Sequence, residues 1–136
     1  MRGRKPAAVK TAPQDALTKA PRPPAWLSKS AAAEWKRVTA ILVDRGVLTN
    51  GDLGALESYC TAVGTVRECQ RALNTGGLFT VDASGVFKRH PAVTVQNAAM
   101  TTARQYAAEL GLTPVSRSRP SMAEKRDDDD AADLDL

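Results

Sequence analysis

Apolar side chains recur at helical spacing in three stretches of the chain, and the longest stretch, Thr49–Asn74, organises the other two. Thr49 and Asp52 have the spacing of a capping box at its start, and Gly76–Gly77 stops the helix at its end. Two rows on this helix predict two packing neighbours, and we expect another subunit to cover the second row. The first row consists of Leu53, Leu56, Cys60 and Val63, and the second, turned partly aside, of Tyr59, Val66 and Leu73.

Two further helices are predicted, one on each side of this stretch. The first spans residues 28–46, with Ser28 or Ser30 as its N-cap, and the turn Val47–Leu48 joins it to the long helix. So short a turn predicts a helical hairpin or a helix-turn-helix-like unit. The third helix spans residues 90–111. The apolar stripes are Ala31, Trp35, Val38 and Leu42 in the first helix, and Val95, Ala99, Thr102, Tyr106 and Leu110 in the third.

Between the second and third helices the pattern changes to that of short strands. Leu78–Val81 and Val86–Lys88 flank the polar, glycine-containing turn Asp82–Gly85, which predicts a β-hairpin. An isolated two-stranded hairpin is marginal in water, so we expect Phe79 and Phe87 to fasten it to the body or to a neighbouring subunit. The predicted fold is therefore mainly α: a helical hairpin and a third helix, with a small β-hairpin between helices two and three, flanked by disordered tails.

The two ends of the chain carry opposite charges. With 136 residues, a net charge of +4 and only 4% aromatic residues, the chain predicts one domain with a modest core. Residues 1–25 hold six basic residues and one acidic residue, whereas residues 121–136 hold two basic and seven acidic residues. We therefore predict a basic disordered arm at 1–25, a helical core at 26–119 and an acidic disordered tail at 120–136, with a polyanion as the partner of the arm.

Basic side chains in the arm are the main candidates for phosphate contacts. The stretch Arg2–Pro6 resembles the core of an AT-hook, but the inserted Lys5 departs from that core and favours a generic phosphate-binding arm. Lys36 and Arg37 lie outside the first apolar stripe, and form either a second phosphate-contacting face or a solvated surface. The second helix starts with Asn50-Gly51-Asp52-Leu53-Gly54-Ala55 and not with the several basic or amide side chains of a helix that reads the major groove, so we do not expect it to read that groove. The predicted DNA-contacting residues are Arg2, Arg4, Lys5, Lys10, Lys19, Arg22, Lys36 and Arg37.

The sequence carries no recognisable catalytic motif. It has no glycine-rich nucleotide loop, and its single histidine, His90, has no acid, serine or cysteine constellation around it and is interpreted as a helix-start residue. Cys60 and Cys69 lie on nearly opposite sides of one helix, so they predict neither a disulfide nor a metal site. Asp127–Asp130 indicates a solvated tail instead of a metal site. We expect no enzymatic activity, no cofactor, no metal and no membrane span, in a cytosolic protein.

Taken in order, several pieces of the chain resemble the small terminase subunit of tailed double-stranded-DNA bacteriophages. The resemblance covers residues 3–119, and its most specific piece is the exit from the third helix. That exit reads Glu109-Leu110-Gly111-Leu112-Thr113-Pro114, followed by Ser116-Arg117 and Arg119. The other pieces are Gly3-Arg4-Lys5-Pro6, Pro23-Pro24-Ala25-Trp26-Leu27, Ala33 with Trp35, Gly46-Val47-Leu48-Thr49 with Asp52 and Leu56, Tyr59-Cys60, and Lys88-Arg89-His90-Pro91-Ala92.

The resemblance implies a non-enzymatic, ring-forming DNA-recognition subunit of a packaging motor in the cytoplasm of the infected bacterium. The expected partners are double-stranded viral DNA, further copies of the chain, and a large subunit that carries the ATPase and nuclease. The acidic tail is the candidate for docking that large subunit or for competing with DNA. Two alternatives stay open: a dimeric DNA-binding transcriptional regulator, and a scaffold that binds RNA or an acidic protein. The expected oligomer interface consists of Tyr59, Val66, Leu73, Phe79 and Phe87.

Overall fold

Three helices and one two-stranded antiparallel sheet make up the fold, in a computed structural model that describes residues 13–118. The predicted mainly helical architecture, with a small hairpin between helices two and three, is confirmed. In chain order the elements are α1 (Lys29–Asp44), a turn of 3₁₀-helix (Asn50–Asp52), α2 (Leu53–Gly76), β1 (Phe79–Val81), β2 (Phe87–Arg89) and α3 (Pro91–Glu109).

The long helix α2 packs against both α1 and α3, so the chain itself supplies the two neighbours that its two apolar rows require. Tyr59 and Leu73 of the second row are buried within the protomer, and Val66 is half-buried. The expectation that this row is left for another subunit is therefore corrected for Tyr59 and Leu73. The core cluster consists of Ala31, Trp35, Val38, Leu42, Leu48, Leu56, Tyr59, Cys60 and Leu110.

The segment before α1 lies against the helical body. The backbone N–H of Leu17 donates to the carbonyl of Leu48 at 2.7 Å, and the indole Nε1–H of Trp35 donates to the carbonyl of Pro21 at 2.8 Å. Leu17 and Leu27 also pack against the core. The prediction of a disordered arm as far as residue 25 therefore does not hold for residues 13–25. A buried indole N–H needs a hydrogen-bond acceptor, but a contact with a backbone carbonyl leaves no periodic pattern in the sequence from which it could be predicted.

Side chains cap each helix close to the predicted positions. Ser28 caps α1 by accepting the N–H of Ala31 at 3.2 Å, and His90 caps α3 by accepting the N–H of Ala92 at 3.0 Å. The Asp52 carboxylate accepts the backbone N–H of Thr49 at 2.9 Å and its hydroxyl at 3.0 Å. Because this first turn is 3₁₀-helix, the α-helix itself begins only after it.

The contact between α3 and α2 contains a polar residue that the apolar pattern did not predict. Gln96 is buried, and its side-chain amide donates to the carbonyl of Val66 at 3.2 Å and to the side chain of Gln70 at 3.0 Å. Because both donors of the amide are used, the buried amide is not left unsatisfied. Val95, which the predicted α3 stripe places in the core, is 50% exposed, so that part of the stripe is wrong.

Candidate nucleic-acid interface

The predicted arm residues fall into two groups. Arg2, Arg4, Lys5 and Lys10 lie outside the described residues. Lys19 and Arg22 are exposed on the segment that crosses the helical body. This segment places two cations of the arm on the ordered part of the protein, because Pro21, next to Arg22, is held by Trp35.

On α1, Lys36 and Arg37 share the exposed side of the helix with Lys29, seven and eight residues before them. This side is opposite the row that enters the core, as the helical period requires. Lys36 is free to reach solvent, whereas Arg37 donates from its Nε and Nη2 atoms to the carboxylate of Glu34. The structure therefore brings the two predicted α1 cations together and adds Lys29.

Two arginines of α2, which sequence reasoning missed, lie across a groove from α1. Arg71 Nη2 donates to the hydroxyl of Ser30 at 2.8 Å, and Arg67 Nη1 donates to the Ser30 carbonyl at 3.4 Å. The groove, of about 420 Å³, is lined by Lys29, Ser30, Ala33, Arg67 and Arg71. The four-residue spacing of the two arginines is a signal in the sequence that they share one helix face.

Glu34 is the buried carboxylate that orients this basic surface. It is 3% exposed, accepts from Arg37, and lies 3.8 Å from Arg67 Nη2. The Tyr59 hydroxyl donates to Glu34 Oε2 at 3.2 Å. Burial raises the pKa of Glu34, but the hydrogen bond and charge of Arg37, followed by Arg67 and Tyr59, outweigh burial and hold its pKa below the ordinary value. Glu34 therefore stays ionised and anchors two guanidinium groups.

The arrangement is suited to binding an anion. Glu34 is shared by Arg37 and Arg67, and within residues 13–118 neither Lys29 nor Arg71 lies within 4 Å of a carboxylate.

No group of three or more potential metal-ligating side chains occurs among residues 13–118. The same part of the chain has no helix that is both long and apolar enough to cross a membrane.

A second exposed surface lies on the β-hairpin. Phe79 pairs with Arg89, and Val81 pairs with Phe87, so these four side chains share one face of the two-stranded sheet. Phe79 is 64% exposed, Val81 57% and Phe87 74%. The hairpin is therefore not fastened to the body through its phenylalanines, and their contact with a neighbouring subunit stays a prediction.

Fold and surface together define a small, mainly helical protein with a basic face and an uncovered apolar hairpin. A sequence model of the family described as phage terminase, small subunit, matches residues 31–127. Because this match covers more than half of the chain, the protein belongs to the phage terminase small subunit family. Neither a comparison with curated proteins nor one with solved structures finds a match.

Family membership confirms the resemblance found in the sequence and gives the chain a role in phage DNA packaging. The small subunit is generally the non-catalytic one, and viral DNA and the large terminase subunit are its general partners. The match begins at Ala31, so Lys36, Arg37, Arg67 and Arg71 lie within it, whereas the arm precedes it.

Proposed function

We propose that this protein is the non-catalytic DNA-binding subunit of a phage packaging terminase, which recognises viral DNA and regulates the large ATPase and nuclease subunit in the cytoplasm of the infected host. The observation that carries the proposal is the family match over residues 31–127. The exposed cations of the segment before α1 and of α1 itself support it, because phosphate contacts supply most of the sequence-independent affinity for DNA.

The arm and the body contribute to DNA binding together. The arm contributes phosphate contacts through Arg2, Arg4, Lys5 and Lys10. The folded body contributes them through Lys19, Arg22, Lys36 and Arg37. Repetition of the arm around an oligomer raises the affinity of contacts that are weak in a single copy.

Deletion of residues 2–12 tests the contribution of the arm. This deletion removes four cations and spares Leu17 and Pro21, whose backbone groups bond to the body. Loss of four phosphate contacts makes the slope of log affinity against log salt shallower by about 3.6, at about 0.9 per contact. Fluorescence anisotropy with a labelled duplex measures the slope, and an unchanged slope contradicts the role of the arm.

Assembly into a homo-oligomer, which we propose to be a ring, uses the hairpin face. Phe79 and Phe87 are the central contacts, and Val66 remains a secondary candidate because it is half-buried and its carbonyl already accepts from Gln96. Burial of the hairpin face by a second copy stabilises strands that are marginal alone. A hairpin surface is a better target for mutation than α2, since changes at Tyr59 or Leu73 disturb the core of the protomer.

The variant Phe79→Ser/Phe87→Ser tests this interface by multi-angle light scattering. We expect a lower mass with an unchanged helical circular-dichroism spectrum. The control Met100→Ser/Val115→Ser removes two exposed apolar side chains elsewhere and is expected to keep the mass. A wild-type dimer favours the transcriptional-regulator alternative, and a hairpin variant with the wild-type mass contradicts the interface.

Regulation of the large subunit is tested by its ATPase rate. The large subunit encoded by the same phage is assayed with duplex DNA, with and without this protein. We expect the ATPase rate of the large subunit to differ between the assays with and without this protein, and we expect no ATPase activity from the protein alone. Truncation after residue 119 removes the acidic tail, which lies outside the described residues. If the truncated protein regulates the large subunit and binds DNA as the full chain does, both proposed roles of the tail are wrong.

A further inference from the structure

We propose that the groove between α1 and α2, walled by Lys29, Arg67 and Arg71 and continued by Arg37, binds the phosphodiester backbone of duplex DNA. This inference rests on the proposed function and adds to it a DNA site on the folded body, formed by residues of two helices. Lys29, Arg67 and Arg71 are not among the contacts predicted from the sequence.

The charge balance of the groove favours an anionic ligand. The groove is lined by three cations, and Arg37 lies next to it on α1. The carboxylate of Glu34 lies within 4 Å of only two of these four, Arg37 and Arg67. Lys29 and Arg71 have no carboxylate within that distance among the described residues. An excess of positive charge in one groove attracts a polyanion and is neutralised when phosphates replace the bound counterions.

The arginines are held in place and keep free donors. Arg71 is fixed through one hydrogen bond to Ser30 Oγ, and Arg67 through one to the Ser30 carbonyl. A guanidinium has five N–H donors in a planar fork, so each of these arginines retains donors for two oxygens of a phosphate. Ser30 is buried, so its two acceptor atoms are fixed points of the fold.

The groove is also open to a ligand as large as a nucleic-acid backbone. Arg67 is 43% exposed, and Lys29 and Arg71 are exposed on the two walls. Ala33 also lines the groove on the α1 side, and its side chain is too small to fill the groove. Lys36 and Arg37 continue the same side of α1 beyond Lys29. A strand of DNA along α1 therefore meets a series of cations instead of a single one.

The test compares full-length variants in duplex-DNA binding between 50 and 200 mM salt. Arg67→Gln/Arg71→Gln removes two cations, and Arg67→Lys/Arg71→Lys keeps the charges but replaces each planar guanidinium fork by an ammonium group. Lys29→Gln changes a wall residue whose side chain makes no hydrogen bond within the described part of the chain. The matched control Arg104→Gln/Arg117→Gln removes two exposed cations outside the groove.

We expect the glutamine double variant to lose about 1.8 from the salt slope, so that its affinity deficit shrinks about 12-fold between 50 and 200 mM salt. The lysine double variant is expected to keep the slope, because charge determines counterion release. Lys29→Gln is expected to lose about 0.9 from the slope, which provides a second result if the double variant folds poorly.

Three results overturn the proposal. The first is an unchanged slope in both glutamine variants, and the second is an equal loss in the Arg104/Arg117 control. The third is a fall of oligomer mass in Arg67→Gln/Arg71→Gln with the fold intact, which assigns the groove to a subunit interface. Failure of the wild-type chain to bind duplex DNA at all refutes the proposed function, whereas DNA binding with an unchanged slope refutes the groove alone.

Discussion

Gly64 of α2 lies against the start of α1, and its replacement by alanine is predicted to destabilise the fold. A Cβ atom at this position lies 3.0 Å from the Cβ and backbone N of Ala31 and 3.0 Å from Ser28 Oγ. Ser28 caps α1, and Ser30, two residues later, holds Arg67 and Arg71. The same approach of the two helices therefore sets the core and the basic groove.

Two opposing terms decide the size of the effect. Alanine in a helix interior is favoured over glycine by about 1 kcal/mol. Overpacking of a close contact costs about 1–3 kcal/mol, because Ala31 cannot move without shifting the backbone of α1. Gly64→Ala is therefore expected to be destabilised by up to about 2 kcal/mol. A loss of 1 kcal/mol lowers the midpoint of thermal unfolding by about 4–8 °C in a domain of roughly 100 residues.

Gly54→Ala is the matched control, because no atom lies within 4 Å of an added Cβ there and the residue is also in α2. We expect this variant to be as stable as the wild type or more stable, by up to about 1 kcal/mol. Thermal unfolding is followed by circular dichroism at one protomer concentration, since assembly makes the midpoint depend on concentration. A Gly64→Ala protein as stable as Gly54→Ala refutes the close-packing argument.

Three further predictions concern buried polar groups. The pKa of Glu34 is lowered on folding, so the contribution of this carboxylate to stability is present above about pH 4.5 and is lost as the pH falls further. Chemical denaturation should therefore show that the stability advantage of the wild type over Glu34→Gln shrinks below that pH, and a constant difference contradicts this. Burial, followed by the charge of Glu34, raises the pKa of the Cys60 thiol to about 12. Alkylation at pH 8 should therefore modify this thiol only when the protein unfolds, and rapid labelling of Cys60 in the folded protein, detected by mass spectrometry, contradicts this. Trp35→Phe leaves the carbonyl of Pro21 without its hydrogen-bond donor and should destabilise the fold by about 1–3 kcal/mol. The backbone N–H of Leu17 should then exchange its hydrogen faster, and unchanged exchange and stability contradict this.

Helical periodicity was sufficient to predict the three helices of this fold, because each helix has an apolar row and a recognisable end. Ser28, the Thr49–Asp52 pair and His90 cap helices as their residue types suggest. Periodicity was not sufficient to assign neighbours. It treated Tyr59 as surplus apolar surface, whereas its hydroxyl donates to a buried carboxylate on α1.

The basic groove was harder to predict, since its walls come from residues far apart in the sequence. Arg67 and Arg71 share a helix face by spacing alone, but their position next to Ser30 depends on the packing of α1 on α2. Buried Glu34 resembled an ordinary surface charge in the sequence. Its burial depends on the tertiary arrangement of Arg37, Arg67 and Tyr59, which a one-dimensional pattern does not contain.

The salt dependence of duplex-DNA binding by the full-length protein tests the central claim most directly. Measured by anisotropy from 50 to 200 mM salt, the logarithm of the association constant should fall linearly with the logarithm of salt. The slope should be steeper than about −3.6, the value expected for the four arm cations of residues 2–12 alone, because the body adds contacts. Absence of saturable binding to duplex DNA at 50 mM salt, or stronger binding to RNA or to an acidic protein, would contradict a DNA-recognition subunit.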